Sequence, residues 1–186
     1  MMIIAATGVN AVAAGTGGEP VRRVVVCIDK AGTVELRFAI ENASEIFRRI
    51  GVEIDWHTGD SCPPFGEVIR ISFSFVTPDT LRGGALAYAH PYEGTRIVVF
   101  YDRVCQQARV RCLRMHRLLA YVLAHEIAHL LEGISRHSAT GIMKAQWTTD
   151  DILPMRRGAL CFSQEDVELI GLGLAARQIC PARDYD

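Results

Sequence analysis

The 186-residue sequence contains no apolar run close to the roughly 20 residues that a bilayer-spanning helix needs, so the chain carries no sign of a membrane span. It also lacks any long run of lysine or arginine. With 20 basic and 21 acidic residues the net charge is −1, and the basic footprint expected of a nucleic-acid partner is missing. Six cysteines are present, at 27, 62, 105, 112, 161 and 180, but none forms a CxxC pair, the commonest cysteine spacing for metal or redox chemistry. No repeat and no second compositional unit interrupts the chain. What remains is 49% hydrophobic and 22% charged, an ordinary globular composition with enough length for one substantial core.

Residues 1–19, MMIIAATGVNAVAAGTGGE, are apolar and small, pass through Ala11-Val12-Ala13 and run into glycines. They read as a leader or signal segment, although the basic start of a secretory signal is lacking. The signal reading makes the protein secreted or periplasmic; a plain leader leaves it cytoplasmic. Residues 20–186 are read as one catalytic domain. The even cysteine count suits an exported, disulfide-bonded enzyme. Cys161 and Cys180 flank a helix of about 16 residues, roughly 24 Å long at 1.5 Å per residue, and are not expected to pair.

Periodicity gives the element order. Val21 to Asp29 is β-branched and predicts a strand; Leu36, Ile40, Ala43, Phe47 and Ile50 then recur at helical spacing up to Gly51. Val52 to His57, Glu67 to Val76, Gly84 to His90 and Thr95 to Tyr101 read as strands. Arg111 to Glu132 predicts one long helix closed by Gly133. A loop is expected through Arg157, and Ser163 with Asp166 three residues later marks the start of a final helix. The fold class is therefore α+β: a twisted sheet of four to five strands with a backing helix, an active-site helix and a C-terminal helix.

The chemistry lies in His125-Glu126-Ile127-Ala128-His129. On a helix this HExxH spacing puts two imidazoles on one face, one turn and about 6 Å apart. Such a pair clamps a zinc ion, and Glu126, about 100° round the helix from His125, is placed to act as general base rather than as ligand. Two polar rings on the buried side of an apolar helix need a reason to be there. A catalytic zinc requires a third protein ligand. His137, past the Gly133 turn, is the candidate, because a glycine there lets the chain reverse. Glu132 shares the histidines' helical register, but three ligands from one straight helix cannot converge on a tetrahedral ion. His57, His90 and His116 are expected to be structural.

HEIAHLLEGISRH, Gly141-Ile142-Met143 and SQEDVELIGLGL together resemble the metzincin clan of zinc peptidases over roughly residues 21 to 180. The resemblance implies Zn2+ held by His125, His129 and His137, a methionine turn at Met143 beneath the metal, and a zinc metalloendopeptidase in which Glu126 deprotonates the attacking water. The partner it implies is a peptide or protein substrate, held along an exposed edge strand for which residues 83–91 are the candidate. The chain departs from the clan's HExxHxxGxxH by one extra residue on each side of the glycine. Trp147 stands near the place of the tyrosine that follows the methionine turn in some branches, so no tyrosine ligand is expected. Two alternatives stay open: a gluzincin-type peptidase in which Glu165 or Glu168 supplies the third ligand, and a non-catalytic zinc-binding module on the same fold.

Overall fold

The computed structural model describes residues 22–29, 33–64, 67–78, 84–89 and 95–179. Strands β1 (Arg22–Ile28), β2 (Val52–Thr58), β3 (Val68–Ser74), β4 (Ala87–Ala89) and β5 (Arg96–Phe100) form a sheet in the order β2-β1-β3-β5-β4. The first four in that order run parallel, and β4 lies antiparallel to β5 at the edge. Helix α1 (Val34–Arg48) makes the crossover between β1 and β2, the connection that parallel neighbours require. Its Leu36, Ala39, Ala43, Ile46 and Phe47 are buried, the stripe expected of an amphipathic helix lying on a sheet. Cys27 and Cys62 are joined in a disulfide with their Cα atoms 5.6 Å apart, which ties β1 to the turn after β2. Cys180 lies outside the described residues.

The helix expected over residues 111–132 starts only at Met115, and a separate helix that periodicity did not reveal precedes it. Helix α2 (Tyr101–Val110) follows β5 directly, and α3 runs from Met115 to Glu132. The break is a Schellman cap: Leu113 N–H donates to Ala108 O at 2.9 Å and Cys112 N–H to Arg109 O at 3.1 Å. Cys112 takes the left-handed conformation, φ 48°, that glycine usually occupies there. The loop expected through Arg157 likewise contains a helix, α4 (Thr149–Arg157). Thr148 and Asp151 form its capping box and Gly158 its left-handed end.

Every residue of α3 from Leu118 to Leu131 is buried. A helix apolar on all sides belongs in the interior of a fold, and α3 packs against α1, α2, β4 and the final helix α5 (Gln164–Ile179). The α3–α5 approach is close enough that a Cβ at Gly173 would sit 1.8 Å from the Leu131 carbonyl oxygen. Among the described residues no helix is long and apolar enough to cross a membrane.

Candidate metal centre

The HExxH segment occupies the last two turns of α3, so its side chains are carried by the most buried element of the fold. His125 is 8% exposed, Glu126 9% and His129 6%. The helix stops at Gly133, whose φ of 69° and N–H donated to His129 O turn the chain back across the helix end. His137 arrives at the pair from that loop. One ligand atom from each of His125, His129 and His137 lies within 4.8 Å of the others, a group able to hold a metal ion. The ring of His137 stacks 5.3 Å from that of His125 and meets His129 edge-on at 5.0 Å.

Three features of this cluster test whether a metal suits it. His125 Nδ1–H donates to the Ile142 carbonyl at 2.8 Å, which leaves the lone pair on Nε2, a second-sphere contact of the kind that orients metal-bound histidines. The Nε2 atoms of His125 and His129 face each other at 3.1 Å, leaving two acceptors to share one proton or one cation. Burial pushes His125 down to about 4 and His129 to about 3, and lowers His137 as well, so all three are neutral near pH 7, the form that ligates. The Ile134 carbonyl lies close enough to favour a proton on His129, yet His129 Nδ1 makes no hydrogen bond of proper geometry. Three neutral imidazoles converging from a buried helix and a tight loop fit a zinc-type ion.

Glu126 lines the same cleft as the three histidines. Burial pushes its carboxyl up to about 7, while a backbone N–H from Ala89 favours the ionised form. That N–H comes from the edge strand. Phe100 N–H donates to Leu86 O at 2.9 Å, so residues 86 and 88 bond to β5, while Ala87 and Ala89, paired with Val99 and Ile97, turn their backbone groups away from it. The edge strand expected over residues 83–91 is thus present, though only three residues long; His90 and Pro91 lie outside the described residues.

The loop that carries His137 is braced on both flanks. Arg136 Nη2 donates to Asp166 Oδ1 at 2.7 Å, and Ser138 Oγ makes a close hydrogen bond to the same oxygen. Asp166 Oδ2 accepts the Ser163 N–H at 2.9 Å, so the capping box read at Ser163 doubles as an anchor for the loop. Met143 is 1% exposed, and its carbonyl accepts the Ser138 N–H at 2.8 Å. Gly141, φ 77°, passes so close to the Cys161 carbonyl that a Cβ would lie 2.5 Å from its oxygen. Trp147 closes the site: Nε1–H donates to Ile142 O at 3.1 Å and its ring stands 5.7 Å from that of His125.

No family model matches the sequence and no curated protein matches it. Among solved structures the chain is similar to archaemetzincin from Methanopyrus kandleri, with a TM-score of 0.55 over 82% of this chain and 95% of that one, at 14% identity. The fold is metzincin-like. At that identity the likeness is one of fold, and the metzincin-like framework supplies a setting in which the three histidines meet rather than a role for each.

The remaining sequence-derived candidates lie elsewhere. Glu165 faces Arg136 Nη1 at 3.5 Å with its side chain 70% exposed, and Glu168 accepts from Gln164 Nε2 at 3.0 Å; neither belongs to the three-histidine group. The Glu132 side chain is fully buried, with neither oxygen hydrogen-bonded and Arg136 Nε 4.0 Å away. His116 pairs with Glu35 at 3.0 Å and packs on Phe38, while His57 lies 3.4 Å from Asp55. Asp166 was readable from sequence only as a helix start. Its second task depends on Arg136 and Ser138, 28 to 30 residues away, and no local spacing signals that.

Proposed function

We propose that the protein is a zinc-dependent peptidase in which His125, His129 and His137 hold the ion and Glu126 is the general base. The observation that supports this reading is that three neutral imidazoles converge in the cleft that Glu126 and the edge strand also line. Bound zinc would act there as a Lewis acid, lowering the pKa of water and polarising a carbonyl. Glu126 takes the proton of the attacking water and returns it to the leaving amine nitrogen. Burial raises the Glu126 carboxyl, a shift that favours taking up a proton and that bound zinc would oppose. The Ala89 N–H holds the carboxylate in place, and β4 offers backbone groups to an extended peptide. His125 is kept in one tautomer by Ile142, and the brace on Arg136 and Ser138 fixes His137 on its loop.

The gluzincin alternative gains no support, since neither Glu165, which faces Arg136, nor Glu168, which faces Gln164, belongs to the group able to hold a metal. The Cys27–Cys62 disulfide supports an oxidising compartment. The decisive variant is Glu126→Gln. It is expected to lower peptide hydrolysis by at least 100-fold while keeping the bound zinc. Hydrolysis at the wild-type rate in that variant would refute the assignment of the base.

A further inference from the structure

The cleft extends well past the histidines. Its volume is about 1020 Å³, and it runs along the face of α3 that carries Leu118, Val122, His125 and His129. Leu118 lies seven residues before His125, roughly 10 Å down the helix axis at 1.5 Å per residue. Phe100, Leu118, Val122 and Trp147 make this stretch apolar, and Gln107 and Arg111 line it as well.

Arg111 is the unexplained group. It is half-buried, and among the described residues no carboxylate pairs with it. Its Nε–H donates to Gln107 Oε1 at 3.2 Å and Nη1 donates to the Trp147 carbonyl at 2.9 Å. A guanidinium has five N–H groups, so three are left over on a head already held in place at two points. Trp147 connects this group to the metal centre, since its carbonyl holds Arg111 while its ring meets that of His125. The other cation lining the cleft, Lys144, is neutralised by Asp151 at 2.6 Å. Among the described lining residues the only acid is Glu126. An anchored guanidinium lining the apolar stretch of the cleft matches a planar carboxylate, which it can grip with two parallel N–H bonds at little further loss of side-chain freedom.

We propose that this pocket is a carboxylate-recognition subsite with Arg111 as its specificity-determining residue. The enzyme would then prefer substrates that place a carboxylate beside the scissile bond. An acidic side chain and a free C-terminal carboxylate are its two sources. The proposal rests on the peptidase reading for the nature of its ligand, but binding tests it separately from turnover.

The probes are matched peptides that differ only as Glu against Gln next to the scissile position, or as peptide acid against peptide amide. Their affinity for the zinc-loaded Glu126→Gln protein is read by fluorescence polarisation, and their cleavage by the wild-type protein by mass spectrometry. We expect at least tenfold tighter binding of one carboxylate-bearing series. That ratio should fall to near one in Arg111→Gln and stay unchanged in Lys144→Gln. Should Arg111→Gln fail to fold, Arg111→Lys, which keeps the charge but loses the fork, is expected to lower the ratio several-fold. A wild-type ratio below two, or one that survives loss of Arg111, overturns the proposal. Cleavage without carboxylate preference would leave the peptidase reading standing and sink this one; carboxylate-selective binding without cleavage would do the reverse.

Discussion

Replacing Asp166 by Asn tests whether α5 sets the position of His137. The carboxylate is fully buried and accepts from Arg136, Ser138 and the Ser163 N–H. An amide of the same shape brings a second donor into a site where all the neighbours are donors, and it removes the charge facing Arg136. Glu165 and Glu132, at 3.5 and 4.0 Å, compensate only partly. Loss of one charged hydrogen-bonding partner in such a setting costs about 2–4 kcal/mol, to be read as a lower midpoint in chemical unfolding. His137 sits between the two anchored residues, so zinc affinity should also fall, by about 10–100-fold as for other second-sphere partners. Competition with a chromophoric chelator measures that fall. In a His137→Ala background Asp166→Asn should still destabilise the fold but cost little further zinc affinity. Equal losses of affinity in both backgrounds would refute the bracing argument, as would wild-type zinc binding in the single variant.

Other consequences are simpler. Burial raises Glu132 from 4.5 to about 7, with Arg136 opposing the shift and Asp166 and Glu165 adding to it. A carboxyl with a raised folded-state pKa contributes fully only below its unfolded value, so stability should decline as pH climbs from about 4.5 to 7, by at most about 3 kcal/mol from this group. Read by urea unfolding, the stability of Glu132→Gln relative to wild type should rise as pH climbs across that range, and a constant difference would contradict the assignment. Gly173→Ala drives a methyl into the Leu131 carbonyl and should cost about 1–3 kcal/mol or more as α5 is pushed off α3; an unchanged unfolding midpoint would show that the helices are not so closely packed. Non-reducing peptide mapping should recover Cys27 linked to Cys62, and finding both thiols free in freshly isolated protein would remove that link.

The sheet and its backing helix were legible because Val24, Val26 and Ile28 in β1, and Leu36, Ala43 and Phe47 in α1, follow the periods that their elements impose. The HExxH pair was legible for the same reason, since helical spacing alone puts His125 and His129 on one face. Other features were hidden by residues acting against type. Cys112 adopts a backbone conformation that sequence assigns to glycine, so the turn before Met115 read as part of α3 and α2, which ends at Val110, was missed. Pro154 inside α4 disguised a helix whose start, Thr148 to Asp151, was in plain view. Arg111 carried no signal, because Trp147, whose carbonyl holds it, lies 36 residues away in sequence.

The most direct test of the central claim is the zinc content of protein purified without chelators or a metal-affinity tag, measured by elemental analysis for wild type and for His125→Ala, His129→Ala and His137→Ala. The account expects about one zinc per chain in the wild type and loss of most of it in each variant, with His137→Ala no exception. A wild-type content near zero that added zinc does not raise, or full retention by His137→Ala, would contradict it.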